Sequence, residues 1–535
     1  MESFLADLRQ KPVIVALLLF AATLLVYAPV AHYAFLDLDD SSYISKSPHV
    51  LTGLSLHNLV WAFKDFDTFY WHPVTWISHM TDCQLFGANA GAHHLVNVAF
   101  HLANTLLLFF LLFKATSAFW RSFVVAGLFA LHPLNVETVA WVAERKSLLC
   151  TFFSFLTFAA YGWYAKEPNW KRYLVVVGAL LFALMAKPMA VTVPLLLLLF
   201  DFWPLKRYEE LSFSRRWARL SLEKLPLLLL SVASSAITIV GHRAAMASLS
   251  AVPLHSRLQN AVISLASYVV RVYRPRGLSA FYPLPAHSAL TLFGAITLLL
   301  MITGMVIHFR RAQYPVVGWA TFVFALLPVS GIIQVGGACM ADRFTYLPAV
   351  GVFVITVWAC SEILQRLRIP QLVTVIVCVS VLLACAAASR YYLAFWHDGI
   401  TLFTRVRQVA EHPDPMIEEY FADALANAGR ADEAFSHYRE SCDLQPNGDL
   451  CHYNMAEYLF SRYRLSEAVE QYRISAALTS KRDVALSSYL NSADALMTMG
   501  DYQSAELELS RALEMDPNNA RALALRQQAL NRNGK

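Results

Sequence analysis

The 535-residue chain is 57% hydrophobic and only 15% charged, with a mean hydropathy of +0.45. Soluble domains carry about 25% charged residues, so this composition excludes a soluble globular protein and indicates a multi-pass membrane protein with a soluble part. The net charge of +5 does not indicate nucleic-acid binding, because no stripe of Lys and Arg alternates with aromatic residues on a soluble segment.

The first predicted element is an apolar run from Pro12 to about Val30, which follows Arg9 and Lys11. A cleavable signal peptide has an apolar core of only about 7–15 residues, whereas this run is long enough to span a bilayer. We therefore predict an uncleaved first transmembrane helix whose N-terminus lies in the cytoplasm.

Further apolar runs predict about eleven spans in total. After the first, they lie at about 93–114, 121–140, 148–165, 172–186, 188–204, 225–242, 288–309, 316–334, 344–365 and 370–388. Residues 257–279 form one more apolar stretch, but four arginines interrupt it. Cytoplasmic loops are enriched in Lys and Arg, and all strong basic clusters share the N-terminal side only if 257–279 does not span. We predict that this stretch is re-entrant or interfacial.

This topology predicts a membrane domain over residues 1–388 with a long first outer loop at 32–92, a connector at 389–412 and an outer tail at 413–535. In the tail, Ala434 and Tyr438 recur as Ala468 and Tyr472, 34 residues later. A 34-residue period with small residues at helix crossings is typical of tetratricopeptide repeats. We predict about three of them.

The eight cysteines are scattered and form no CxxC motif. Cys442 and Cys451 would be able to pair if the tail lies in an oxidising compartment, but two small buried side chains are the more frequent alternative. No phosphate-binding P-loop, dinucleotide-binding or GxSxG motif occurs, so nucleotide hydrolysis and serine-hydrolase chemistry have no support.

The most unusual motif is the acidic segment directly after the first span, where Asp37, Asp39 and Asp40 fall within four positions. Charges so close to a bilayer are costly and mark functional sites. The eleven-span topology brings the polar groups of later turns to the same face: His132, Glu137, Glu144, Arg145, Lys146, Lys187, Asp342 and Arg343. Cations at this level suit a phosphate-bearing lipid, and a neighbouring carboxylate would be able to deprotonate a hydroxyl nucleophile.

Each of these residues also has a structural alternative. The acidic residues fit a solvated loop or a helix cap, Arg145 fits a membrane anchor, and Arg343 fits a bridge to its neighbour. The histidines near span 2 suit packing as well as catalysis, and they show no tight metal-ligand spacing with Cys. A divalent ion with oxygen ligands is compatible with the acidic cluster, but nothing requires one. The supporting candidates are Asp37, His72, His94, His132, Glu137 and Asp342.

Four blocks of sequence and the repeats carry a family resemblance. The blocks are Leu38-Asp39-Asp40, His93-His94-Leu95-Val96-Asn97, LFALHPLNVETVAWVAERKSLL from Leu128 to Leu149, and LPVSGIIQVGGACMADRFTYLPAVG from Leu327 to Gly351. Together with the span pattern, they resemble the transmembrane and tetratricopeptide-repeat protein O-mannosyltransferases and their bacterial relatives. The chain departs from many relatives at Leu38, where they carry an aromatic residue, and at Pro188, where they often carry an acid.

The resemblance implies a C-type glycosyltransferase fold, a polyprenyl-phosphate sugar donor, inverting transfer and a protein hydroxyl as acceptor. It also implies that Asp39 or Asp40 is the catalytic base and that Arg145 and Arg343 bind the donor phosphate. Lys187 joins the phosphate-binding set because it sits between two apolar runs, where an unused charge is costly.

We therefore predict an all-α glycosyltransferase of the bacterial inner membrane with periplasmic repeats, or of the endoplasmic reticulum membrane with lumenal repeats. It would move a sugar, mannose as the first expectation, to Ser or Thr hydroxyls of exported proteins, and the repeats would hold the acceptor polypeptide. Two alternatives stay open. In the first, the same fold transfers the sugar to a glycan or a lipid. In the second, the chain is a non-catalytic, membrane-anchored scaffold for protein assembly.

Overall fold

The computed structural model describes residues 11–36, 38–66, 70–207, 213–241, 252–284, 288–334, 336–479 and 481–533. These residues are helical almost throughout, and they include one two-stranded antiparallel sheet. The chain divides into two compact units, Met1–Leu402 and Phe403–Lys535. The all-α class predicted from the sequence is confirmed.

The first unit is a helical bundle. Its helices are α1 (Pro12–Tyr27), α2 (Pro48–Leu51), α3 (Leu56–Lys64), α4 (Pro73–Phe86), α5 (Ala90–Thr116), α6 (Phe119–Leu131), α7 (Val136–Ala140), α8 (Arg145–Lys166), α9 (Trp170–Ala186), α10 (Val193–Phe202), α11 (Phe213–Gly241), α12 (Leu254–Tyr273), α13 (Ala289–His308), α14 (Tyr314–Leu326), α15 (Ala349–Arg366) and α16 (Gln371–Leu393). The next helix, α17 (Gly399–Val409), contains the boundary between the units.

Within the described residues, seven helices are long and apolar enough to cross a membrane, or eight if the bent pair formed by Phe119–Leu131 and Pro133–Ala140 is one span. The chain is therefore a multi-pass membrane protein, but the predicted eleven spans are not confirmed. The shortfall arises where apolar runs fold into short helices: α9 has 17 residues, α10 has 10 and α14 has 13. A straight span needs about 20 residues. Helix α12, which overlaps the stretch at 257–279, is not among the helices that are long and apolar enough to cross a membrane.

Four of the helix breaks are 3₁₀ turns that lie near buried charged residues such as Glu144, Lys187 and Asp342. They are Pro133–Asn135, Val142–Glu144, Pro188–Thr192 and Asp342–Thr345. Proline begins two of them, because its fixed φ and missing N–H suit the first residue of a helical turn. Strand β1 (Tyr282–Pro283) pairs with β2 (Ala338–Met340) and fixes the approach to the last of these turns.

Helices α14 and α15 cross at two glycines. An added Cβ at Gly318 would lie 2.5 Å from the carbonyl oxygen of Gly351, and one at Gly351 would meet the Gly318 carbonyl even more closely. Backbones approach this closely in membrane bundles only where small residues line the crossing.

We expect Gly351→Ala to destabilise the bundle by about 1–3 kcal/mol, because overpacking forces the two backbones apart. Thermal unfolding of the purified protein measures the change. Gly304→Ala is the matched control, since a Cβ there meets nothing within 4 Å and alanine is the better helix former. Equal melting temperatures for the two variants would contradict the close crossing.

The second unit consists of antiparallel helix pairs. They are α18 (Pro415–Asn427) with α19 (Ala431–Leu444), α20 (Asp449–Ser461) with α21 (Leu465–Leu478), and α22 (Arg482–Met499) with α23 (Tyr502–Met515), followed by α24 (Ala520–Asn533). Small residues such as Ala434, Ala468 and Ala505 are fully buried where the helices meet. In this unit, Cys442 and Cys451 are buried free thiols.

The turn within each pair needs a left-handed residue. Gly429 and Gly500 supply it in the first and third pairs, with φ of +78° and +85°, whereas the second pair uses Tyr463 with φ of +59°. A non-glycine residue costs about 1–2 kcal/mol in this conformation. The second repeat therefore lacks the turn glycine that the first and third repeats carry.

We expect Tyr463→Gly to stabilise the second unit by about 1 kcal/mol, because the side chain is 81% exposed and the substitution mainly relieves the backbone. Hydrogen exchange of α20 and α21 reports the gain. Gly429→Ala is the reverse control and should destabilise its own turn by a similar amount. A loss of protection in Tyr463→Gly would show that the tyrosine ring, not the backbone, sets the local stability.

Candidate functional site

An open cleft of about 1230 Å³, solvent in its mouth included, lies in the first unit. Three segments distant in sequence supply its charged walls: the acidic loop, the turn between α7 and α8, and the turn that precedes α15. A fourth wall comes from the break between α9 and α10. The charged residues that line it are Asp39, Glu144, Lys146, Lys187 and Arg343.

Glu144 is the shared counter-ion of the three cations in this cleft. Its Oε2 lies 3.1 Å from the Nζ of Lys187, and its Oε1 lies 3.5 Å from the Nζ of Lys146 and 3.4 Å from the Nε of Arg343. Ser147 also donates a hydrogen bond to it. The Glu144 side chain is 1% exposed. A buried carboxylate of this kind holds mutually repelling cations together at one point.

Aromatic rings cover the same cations. Lys146 Nζ lies 4.7 Å from the ring centre of Tyr43 and 5.5 Å from that of Trp141, and the Arg343 guanidinium lies 5.2 Å from Trp141 and 5.1 Å from Phe344. Cation–π contacts stabilise positive charge without neutralising it. The cleft therefore keeps cations that can still bind an anion.

The two acidic neighbours have different environments. Asp39 lines the cleft, its side chain is 35% exposed, and its Oδ2 lies 3.5 Å from Lys146 Nζ. Asp40 is fully buried, and its two oxygens accept hydrogen bonds from the backbone N–H groups of Leu36 (2.9 Å) and Ala143 (2.8 Å). Burial raises the pKa of Asp40 to about 7. Asp40 thus ties the acidic loop to the turn before α8, and only Asp39 faces the cleft.

Arg145 is not brought to the cleft. Its guanidinium is fully buried and lies 2.8 Å from Asp82, and it also donates to Asn97, to Ser78 and to the backbone carbonyl of His93. Successive helical residues point about 100° apart, so Arg145 points toward α4 and α5 while Lys146 points into the cleft. The geometry does not support the predicted phosphate contact of Arg145.

The other cations predicted for phosphate binding are brought together. Lys187 donates to Ser147 at 2.7 Å as well as pairing with Glu144. Arg343 pairs with Glu137, whose second oxygen accepts the Arg343 backbone N–H at 2.8 Å. This arrangement raises the pKa of Arg343. Glu137 therefore positions Arg343.

Asp342 and the supporting histidines lie around the cleft rather than in it. Asp342 accepts from Tyr282 at 2.8 Å and lies 3.8 Å from Arg271, while burial raises the pKa of Asp342 to about 6. His132 accepts the N–H of Leu134 and so caps the turn that follows it, while its other ring nitrogen bonds to Val272.

Two more candidates have packing contacts. His72 stacks on Trp76 with ring centres 4.8 Å apart, and His94 bonds to the carbonyl of Ala34 at 3.1 Å. Asp37 lies outside the described residues. Among the described residues, none of the groups whose atoms could hold a metal ion includes Asp39 or Asp40.

Two central residues, Glu144 and Lys146, were expected on the face of Asp39 but were not selected as site residues, although they lie beside Arg145. The available signal was the local run Glu144-Arg145-Lys146 at a helix start. Only the rotation of that helix decides which of the two cations enters the cleft.

Comparisons with known proteins agree with this architecture. The tetratricopeptide repeat family matches residues 486–519. The Mus musculus protein O-mannosyl-transferase TMTC3 is 22% identical over 452 residues, which cover 76% of this chain and 48% of that protein. The Homo sapiens protein O-mannosyl-transferase TMTC1 is 27% identical over 159 residues, which cover 29% of this chain and 18% of that protein.

The chain spans about half the length of TMTC3. A crystal structure of the APC/C hetero-tetramer Cut9-Hcn1 aligns over 86% of this chain and 90% of that chain, but with 13% identity and a TM-score of 0.24 it supports no argument. The fold defines a class, the multi-pass membrane proteins that carry a helical repeat array. Within that class, the chain is similar to relatives named protein O-mannosyl-transferases, and its tail carries the tetratricopeptide repeat.

Proposed function

We propose that the chain is a glycosyltransferase that moves a sugar from a polyprenyl-phosphate donor to Ser or Thr hydroxyls of exported proteins. One observation carries this proposal. A half-buried carboxylate, Asp39, faces Lys146, Lys187 and Arg343 across a single cleft of a membrane protein. The relatives named protein O-mannosyl-transferases support the class of reaction and make mannose the first sugar to test.

In this mechanism, the acceptor hydroxyl is activated by Asp39. The hydroxyl proton passes to the Asp39 carboxylate, the hydroxyl oxygen bonds to the anomeric carbon, and the bond from that carbon to the phosphate oxygen breaks. The electron pair of the broken bond stays on the departing polyprenyl phosphate. General-base catalysis of this kind contributes about 10²–10⁴-fold to a rate.

The charges of the cleft suit a phosphate monoester as leaving group. Before reaction, the three cations are matched by Asp39, Glu144 and Glu137. When Asp39 takes the proton, one positive charge loses its partner just as the phosphate gains its second negative charge. Preorganised charge that responds in this way stabilises the transition state more than the ground state.

The repeats of the second unit are proposed to hold the acceptor polypeptide, since stacked helical pairs form extended binding surfaces. This role requires the repeats and the cleft to face the same compartment, the periplasm or the endoplasmic reticulum lumen. Protease protection of the tail in sealed vesicles tests that requirement.

The test is sugar transfer by the purified full chain in lipid vesicles. Polyprenyl-phosphate mannose and a Ser/Thr-rich peptide should give glycosylated peptide, whereas GDP-mannose, or a peptide with alanine in place of Ser and Thr, should give none. Polyprenyl-phosphate glucose tests the sugar. If the transferred sugar is found only in lipid or glycan, the acceptor is a lipid or a glycan and not a protein. Absence of transfer from every polyprenyl-phosphate sugar, with folded protein, would favour the scaffold alternative.

A further inference from the structure

A second polar cluster lies beneath the cleft, between α4 and α5. It consists of His79, Asp82 and His93, each of which offers one ligand atom within 4.8 Å of the others. His79 and His93 are fully buried, and Asp82 is 4% exposed. None of the proposed steps of sugar transfer uses these residues, so their convergence needs a separate explanation.

Several polar atoms of this cluster lack hydrogen bonds. Within the described residues, neither ring nitrogen of His79 has a hydrogen-bond partner, and neither does Nδ1 of His93. A buried polar group left without a hydrogen bond costs about 1–3 kcal/mol. Two neighbouring imidazoles with this cost are unfavourable unless one bound species satisfies both of them.

The hydrogen bonds that do exist orient the cluster as metal sites are oriented. His93 Nε2 lies 3.1 Å from the carbonyl oxygen of Gly87, which accepts its proton. The lone pair of His93 is therefore on Nδ1, which faces Asp82 Oδ2 at 3.4 Å. Two ligands of a tetrahedral metal, each about 2.0–2.1 Å from the ion, lie about 3.4 Å apart. Carbonyl contacts that fix a histidine tautomer are a regular feature of metal sites.

Arg145 positions the carboxylate of the cluster. Its guanidinium lies 2.8 Å from Asp82 Oδ2, so a bound cation would share this carboxylate with Arg145. The Arg145 contacts to Asn97 and to the His93 carbonyl hold the Asp82 carboxylate in place.

We propose that His79, Asp82 and His93 bind one divalent transition-metal ion of borderline softness, such as Zn²⁺. Two imidazoles and one carboxylate are a ligand set that such ions prefer. The ion links α4 to the start of α5. The Tyr43 ring lies 5.7 Å from the ring of His79 and 4.7 Å from Lys146 Nζ, so the ion supports the floor of the cleft without touching substrate.

The test uses Co²⁺ as a spectroscopic probe in the full-length protein. A Cys442→Ser, Cys451→Ser background removes the thiols of a second candidate group, which Cys442 and Cys451 form with His452. After chelator treatment, this background should take up one equivalent of Co²⁺, with the visible absorption of a low-coordinate ion and no thiolate charge-transfer band. Its melting temperature should rise with Co²⁺ or Zn²⁺.

His79→Gln and His93→Gln should lose the bound equivalent, whereas His94→Gln should keep it. His94 is the matched control because it is equally buried on α5 but bonds to the Ala34 carbonyl. If the glutamine variants do not fold, the Cys442→Ser, Cys451→Ser background alone decides. Failure of that background to bind Co²⁺ or Zn²⁺ at micromolar concentration would overturn the proposal, whatever the protein's transferase activity.

Discussion

Asp39→Asn is expected to lower the rate of sugar transfer by about 10²–10⁴-fold with little change in stability. Asparagine cannot accept the hydroxyl proton, but it preserves the shape of a side chain that is already 35% exposed. Initial rates at saturating polyprenyl-phosphate mannose, together with thermal unfolding, measure both effects. Transfer at the wild-type rate would remove Asp39 from the mechanism.

Asp40→Asn is the control for this experiment, because it makes the same chemical change at the neighbouring residue. Its side chain holds two backbone N–H groups and is buried, so we expect a loss of about 1–3 kcal/mol of stability. The folded fraction of Asp40→Asn should transfer sugar within about tenfold of the wild-type rate. The opposite pattern, with a stable and inactive Asp40→Asn protein, would exchange the roles of the two residues.

The pH dependence of stability separates the two residues further. Because the pKa of Asp40 rises from 3.8 to about 7 on folding, the native chain retains a proton that the unfolded chain loses above about pH 4. The free energy of unfolding therefore decreases as the pH rises from about 4 toward 7, because the native state binds the proton more tightly than the unfolded state does. Denaturation at several pH values should show a shallower fall in Asp40→Asn than in the wild type.

Glu144→Gln is expected to cause the largest loss of stability in the first unit, about 3–5 kcal/mol. It removes the one carboxylate that contacts Lys146, Lys187 and Arg343, and breaking a buried ion pair from one side leaves uncompensated charge. Denaturant unfolding or expression level in the membrane measures the loss.

The double variant Glu144→Gln, Lys187→Met tests the electrostatic cause. It removes one cation together with the shared anion, so we expect it to be more stable than Glu144→Gln alone. It should still lack transferase activity, because Lys187 faces the phosphate in the proposed mechanism. A double variant that is less stable than both single variants would show that Glu144 acts through packing instead.

The sequence was sufficient to predict a helical membrane domain followed by a helical repeat array, because the length of an apolar run and a 34-residue period are local signals. The number of spans was less predictable. Hydropathy does not show where a run breaks into a 3₁₀ turn, as it does at Pro188 and before Ala349. The left-handed turn of the second repeat was not predictable for a similar reason. Tyr463 occupies the position that glycine occupies in the other repeats, and a tyrosine does not indicate a turn.

The candidate site was predictable to the level of the segment but not of the side chain. Asp39 and Asp40 are adjacent, yet one lines the cleft and the other binds backbone N–H groups. Arg145 and Lys146 differ in the same way. In each case the orientation depends on contacts with distant segments of the chain, 103 residues away between Asp40 and Ala143 and 48 residues away between Arg145 and Asn97, which a linear pattern does not contain.

The position of Glu144 has a consequence for how the chain is made. Glu144 is synthesised 43 residues before Lys187, and Lys146 follows it closely. When Lys187 is inserted, its counter-ion Glu144 is therefore already present. Arg343, which follows Glu137 by 206 residues, arrives last. A nascent chain that ends before Arg343 would therefore contain Glu137 and Glu144 without their arginine partner. Membrane quality control would recognise an incomplete chain at this late stage of synthesis.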